Sequence, residues 1–230
     1  MARFHADDAE RYGGQGGGGF FSLSDDGDTA KVRFCYESID DVEGYSVHRV
    51  KTGVSDNGRE IYRNVNCLRE YDEPYDKCPF CREKMPVMAK LYIPVYDIEN
   101  KTIKTWERGK NFFGKISKLI SRYPNTVTHV FEIERNGKKG DTSTTYEIYP
   151  LDEGIDESIT VEQLGELPTI IGGIVLDKTA DDMEYYLEEG QFPPTDDDSD
   201  DEDERPVRRG SESRSEGRRT PRGSRRGEGF

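Results

Sequence analysis

Long apolar runs are missing from this chain. No stretch of 18 residues is apolar enough to cross a bilayer as a helix, so a membrane-spanning helix is excluded and no membrane partner is expected. The opening, MARFHADDAERYGGQGGGG, lacks the apolar segment of a secretory signal, and export by that route is not expected either. Hydrophobic residues make up only 32% of the 230 and charged residues 35%, too polar a balance for the whole chain to pack around a core. Cysteine is scarce: four residues read better as metal ligands or thiols than as a disulfide framework. Catalytic patterns are lacking too. There is no nucleophile–base pair, no convincing pair of acids, and Gly16–Gly19 neither follows a strand nor opens a helix as a phosphate loop would. The expectation is a protein that is not an enzyme, with no catalytic residues.

Positive charge is in deficit overall, with a formal net charge of −14. Its distribution matters more than its sum. Between Lys101 and Arg122 lie seven basic residues (Lys101, Lys104, Arg108, Lys110, Lys115, Lys118, Arg122) against one acid, Glu107. A basic stripe on an acidic body can still bind phosphate, while the acidic remainder discourages indiscriminate binding.

Three regions follow from composition. Residues 1–19 form a polar arm, helical at most over Ala6–Tyr12 and ending in a glycine run. Residues 20–190 carry the periodic patterns. Strands are predicted at Thr29–Tyr36, Tyr45–Lys51, Glu60–Leu68, Leu91–Asp97, Lys101–Arg108, Thr126–Arg135 and Thr142–Tyr149, with Asp56-Asn57-Gly58 as a turn. Phe113, Ile116, Leu119 and Ile120 share one helical face ahead of Pro124, and short helices are predicted near Val161–Leu164 and Asp181–Glu189. Residues 191–230 are low in complexity: Asp196–Glu204 has eight acids in nine residues, and Arg205–Phe230 has nine arginines against three glutamates among Gly and Ser. Neither block can build a core, so a disordered acidic and then Arg/Gly-rich tail is expected. Many short strands with few helices suggest a mainly β fold, an OB-like small β-barrel with a zinc-binding subdomain inserted at about residues 45–90.

The cysteine spacing points to that metal. Cys67, Cys78 and Cys81 are arranged C-x10-C-x2-C, and His48 lies on the strand before them. A CxxC turn presents two thiolates to one ion, and two ligands from an adjoining hairpin would complete the tetrahedron of one structural Zn2+. The acid-rich stretch between Leu68 and Lys77 has little apolar content of its own to hold it. A glutaredoxin-like redox turn or inert thiols are the alternatives. A redox CxxC would follow a buried strand, whereas here EYDEPYDK precedes it. Cys35, between Phe34 and Tyr36, reads as a core residue.

Strand alternation places Lys104, Trp106 and Arg108 on one side of Lys101–Arg108, and Tyr92 and Tyr96 on one side of Leu91–Asp97. Rings and cations together suit an unpaired polynucleotide, with stacking worth about 1–3 kcal/mol per base. Whether the two sides coincide depends on the hairpin register. A three-residue loop sets Tyr96 beside Lys104, and a two-residue loop sets it opposite Ile103.

These segments resemble the helix-destabilising, single-stranded-DNA-binding proteins of T-even-type bacteriophages and their tailed-phage relatives. The matching residues are His48, Cys67-x10-Cys78-Pro79-Phe80-Cys81, the strand pair that follows, and Lys104-Thr105-Trp106-Glu107-Arg108-Gly109-Lys110-Asn111-Phe112-Phe113 leading into a basic helix. An acidic tail is shared as well. The resemblance implies zinc on His48, Cys67, Cys78 and Cys81, and a DNA cleft lined by Tyr92, Tyr96, Lys104, Trp106, Arg108, Lys110 and Lys115. It implies self-association along DNA through the N-terminal arm, with Arg3 and Arg11 as its basic residues, and contacts of the acidic tail with replication and recombination proteins. It also implies work in the cytoplasm of an infected bacterium. The sequence departs from the pattern in a sparsely basic arm, a long interval from His48 to Cys67, and the arginine-rich extension beyond the acidic block. A zinc-ribbon adaptor in transcription or RNA processing is the alternative function.

Overall fold

The computed structural model describes residues 19–194, apart from Tyr71 and Thr142. The expected N-terminal arm with Arg3 and Arg11, the acidic block and the arginine-rich tail fall outside the described residues. Seven strands form one antiparallel sheet: β1 (Thr29–Phe34), β2 (Gly44–Val54), β3 (Glu60–Asn66), β4 (Val87–Asp97), β5 (Thr102–Gly109), β6 (Val130–Asn136) and β7 (Thr145–Leu151). Four short α-helices accompany them: α1 (Pro79–Arg82), α2 (Phe113–Arg122), α3 (Val161–Leu164) and α4 (Ala180–Glu189). The fold is mainly β, as the alternation of the sequence predicts.

Strand order is β3-β2-β4-β1-β6-β7, with β5 on the other edge of β4. The 11-residue length of β4 makes this branching possible. Its first half pairs with β2, its last residues with β1, and most of its length with β5. The sheet is not closed, since no ladder joins β5 to β7. Side chains bridge that gap instead, with the Trp106 ring 5.3 Å from the Tyr146 ring.

Asp97 decides the β4–β5 register. Its carboxylate accepts the Glu99 and Asn100 amides at 3.0 Å, the Asn100 side-chain N–H at 2.7 Å and the Lys104 ammonium at 3.0 Å. This network fixes a turn in which Lys101 takes a left-handed φ of 53°. Tyr96 then pairs with Ile103, Tyr92 with Glu107 and Ile93 with Trp106. The tyrosines therefore share a face with Ile103 and Glu107, and Trp106 lies on the opposite face with Leu91, Ile93 and Val95.

Both faces are covered. On the Trp106 side, Val32, Phe34, Phe131 and Ile133 meet Ile116 and Ile120 of α2 in the main core. On the tyrosine side, Val161 and Leu164 pack near Tyr96 and Ile103, while Val175, Ile170 and Ile174 pack near Tyr92 and Val47. Cys35 is buried in the first of these clusters, as expected. Phe113 alone of the predicted helical face points outward, at 43% exposure.

Two local predictions differ from the structure. Thr126–Thr128 is a 3-10 turn, not the start of a strand, because the Thr126 hydroxyl donates to the Phe34 and Tyr36 carbonyls and the Thr128 hydroxyl to that of Asn125. Trp106 is completely buried, with Phe21, Phe112 and Tyr146 against its ring edge-on, and so it offers no ring face to a base. Trp106 should accordingly emit at short wavelength and resist acrylamide quenching. Trp106→Ala should cost about 3–5 kcal/mol in urea denaturation. Burial pushes the Asp97 carboxyl up, but the Asn100 and Lys104 bonds outweigh it and hold it below the usual carboxylate range. Its contribution is present above that range and disappears as pH falls through the lowered value. Asp97→Ala should thus lower stability by about 1–3 kcal/mol at neutral pH and flatten the acid limb of the stability–pH curve.

Candidate metal centre

His48 sits in the middle of β2, where strand geometry turns it inward beside Val50 while Arg49 turns out. The β2–β3 hairpin closes through Gly58 at φ 78° and brings Cys67, just past β3, back to β2, where its amide donates to the Ser46 carbonyl at 2.9 Å. Cys78 and Cys81 come from the opening of α1, with Cys78 as the cap and Pro79 in the first turn, where its missing N–H costs nothing. The CxxC thus does open a single helical turn, although a 3-10 turn (Tyr75–Lys77) and not a strand precedes it.

The four ligand atoms lie within 4.8 Å of one another. His48 Nε2 is 3.5 Å from both Cys78 Sγ and Cys81 Sγ, and Cys67 Sγ is 3.5 Å from Cys81 Sγ. A tetrahedral ion with ordinary metal–sulfur and metal–nitrogen bonds requires edges of about 3.6–3.8 Å, close to these three separations, so the set could hold a metal. All four cysteines are free thiols. His48 Nδ1 lies 3.1 Å from the Pro86 carbonyl, which fixes the tautomer that leaves Nε2 free to ligate.

Electrostatics agree with that assignment. Burial pushes the Cys67 thiol up to about 12 and raises that of Cys81, and it lowers His48. Three thiols and a neutral imidazole packed this closely gain little from one another; a divalent ion would replace the thiol protons and hold all four. The side chain of Arg69 lies beside Cys81 and favours its thiolate form, offsetting the net negative charge of three thiolates on a divalent ion.

The wall around the centre comes from distant sequence. Met183, Tyr186 and Leu187 of α4, together with Phe192 and Leu176, pack on Phe80, Val50 and Val65. Tyr186 also donates to the Lys51 carbonyl at 2.9 Å, and Arg82 pairs with Glu184 at 2.7 Å. No local motif announced α4 or the Pro86 carbonyl as part of the site. The alternation of YSVHRVK did carry a second signal, since a buried His48 obliges Arg49 and Lys51 to share the outer face.

The expected nucleic-acid contacts do not form one platform. Tyr92 is buried, and its hydroxyl accepts from Asn64 at 2.9 Å. Tyr96 is half-buried against Ile103. Lys104 is tied to Asp97 on the other face, and Lys115 to Glu147 and the Tyr146 carbonyl. Arg108 lies between the Trp106 and Tyr146 rings, at 4.5 and 3.9 Å. Lys110 is exposed and lacks a carboxylate partner among the described residues. The β2–β3 hairpin was predicted from its strands and turn, but not its side-chain arrangement: Arg49 lies 5.3 Å over Tyr62, itself 44% exposed, and Arg59 and Arg63 are exposed.

No family model, curated protein or solved structure matches this chain.

Native mass spectrometry should find one divalent ion per chain, and Cys67→Ser or Cys78→Ser should abolish stoichiometric loading. Because Cys67 without metal is protonated at neutral pH, binding releases protons, and affinity should rise with pH. Chelation should open residues 67–86 to proteolysis well before β1, β6 and β7 are cut.

Proposed function

We propose that this chain is a sequence-nonspecific single-stranded-DNA-binding protein of the T-even-phage type, a non-enzymatic coat for exposed strands during replication, recombination and repair in an infected bacterium. The ion held by His48, Cys67, Cys78 and Cys81 is zinc in this reading, since a Cys3His set is a closed structural zinc site. Its role is to brace the β2–β3 hairpin against α1.

The observation that carries the reading is that hairpin. Tyr62 offers a half-exposed ring next to Arg49, on the strands that hold the metal ligands, with Arg59 and Arg63 exposed nearby. A ring for a base and guanidinium groups for phosphates are what sequence-independent recognition of an unpaired strand needs. Lys110, Lys118 and Arg122 add exposed cations without carboxylate partners among the described residues. An OB-like frame belongs to the same proposal: the gap between β5 and β7, where Trp106 meets Tyr146 and the Phe21 amide bonds the Thr105 carbonyl, would be the seam of a barrel closed by side chains and by that segment.

A second reading, a zinc-ribbon adaptor that never coats DNA, is favoured by the separation of Tyr92 and Tyr96 from Trp106 and Arg108 on opposite faces. Titration of the metal-loaded chain with a single-stranded oligonucleotide separates the two. The coat should bind at micromolar concentration or tighter, with log affinity falling against log salt by about 0.7 per phosphate contacted. Arg49→Ala combined with Tyr62→Ala should weaken binding by tenfold or more, at about 1–3 kcal/mol for the lost stacking. Absence of binding in dilute salt would leave the adaptor.

A further inference from the structure

A second feature lies away from the metal, on the tyrosine face of the sheet. A cleft of about 430 Å³ opens between the end of β1, the start of β2 and the loop after α3. Tyr36, Tyr45, Tyr92, Leu167 and Pro168 form its walls. Its charged lining is of one sign only: Glu37, Asp41, Glu43 and Glu162. None of these carboxylates has a lysine or arginine partner among the described residues. Asp41 accepts the Glu37 and Ser38 amides, and Glu43 accepts the Tyr45 hydroxyl. Such a cleft repels a phosphate backbone. It cannot be the DNA groove.

Tyr36 gives the cleft a further property. The residue is only 4% exposed, yet its hydroxyl has no hydrogen-bond partner among the described residues. The hydroxyl reaches the cleft and is free to bond an occupant there. The occupant should therefore donate hydrogen bonds, carry positive charge and present a flat surface to tyrosine rings. A guanidinium meets all three requirements: five donors in a planar fork, bidentate pairing with carboxylates and stacking on aromatic faces.

The chain itself carries such a ligand. Residues 205–226 hold nine arginines, among them the pairs Arg208-Arg209, Arg218-Arg219 and Arg225-Arg226, separated mainly by Gly, Ser and Pro. Small residues between arginines let the backbone approach a narrow cleft closely. We infer that the cleft bounded by Tyr36, Glu43 and Glu162 is a docking site for the arginine-rich segment 205–226. While the segment is docked, its arginines are withheld from phosphates, so the cleft and a nucleic acid compete for the same side chains. The docking itself does not depend on the DNA-binding reading, and its test needs no DNA.

The test places a photo-crosslinking benzoylphenylalanine at Leu167, 44% exposed at the cleft wall, in the full-length metal-loaded chain, with cross-linked peptides mapped by mass spectrometry. The expected product joins position 167 to a peptide within 205–226. The mass of the adduct tells whether the segment comes from the same or a neighbouring copy, either of which supports docking. Glu43→Lys combined with Glu162→Lys should reduce the yield by about tenfold, as loss of two charge pairs implies. Tyr36→Phe should also reduce it without lowering the melting temperature, because that hydroxyl has no hydrogen-bond partner among the described residues. Cross-links confined to other peptides, no cross-link at all, or a yield unchanged in the charge-reversed chain while it melts at the parent temperature would overturn the inference.

Discussion

Convergence of one imidazole and three thiols is the constraint on which the rest of the molecule hangs. Between Leu68 and Lys77 the chain has almost nothing apolar to bury, so packing alone gives that stretch little reason to hold one shape. Four ligand atoms within 4.8 Å could supply the reason: an ion there would tie β2, the end of β3 and α1 together, under the surface that α4 and Phe192 close over. The Pro86 carbonyl extends the constraint into β4 by orienting the His48 ring. A local metal site thereby becomes continuous with the strand that organises the whole sheet.

That strand, β4, passes the constraint onward through Asp97. A single carboxylate with four donors sets the turn, the turn sets the register, and the register assigns every side chain of β4 and β5 to a face. Moved by one residue, the same strands would have set tyrosines beside Lys104 and Arg108. As folded, they separate them, and a ring beside exposed guanidinium groups is found at the β2–β3 hairpin instead. Carboxylates gather around Tyr36 and Tyr45 at the cleft on the tyrosine face. One side of the sheet thus carries two different surfaces, basic and aromatic at the β2–β3 hairpin, acidic and aromatic at the cleft.

Much of this was legible in the residues. Alternation located all seven strands to within a few positions, because most of them bury at least one side of a pleated surface and period-2 patterning survives that, although β3 and β7 bury only Val65 and Tyr146. The metal ligands were legible because thiol spacing is a chemical signature that needs no tertiary knowledge. Trp106 was misread as a stacking residue for a physical reason. Lys104 and Arg108 flank it at the same period, and both are long enough to cover a core while keeping their charges at its edge, so a polar-looking face turned out to be an interior one. Thr126–Thr128 reads as β by propensity, and only its hydroxyls' bonds to nearby carbonyls make it a turn.

What the amino-acid order determined by itself is the seven strands, the four-residue candidate metal cluster and the charge blocks beyond Pro194, all of them consequences of local period or composition. Tertiary structure alone decided which face of each strand meets the core, that a helix about 100 residues downstream walls the candidate metal cluster, and that four scattered acids share one cleft with Tyr36. Those outcomes depend on register and on long-range burial, and a one-residue slip in pairing, invisible in the pattern of either strand, exchanges one surface for the other.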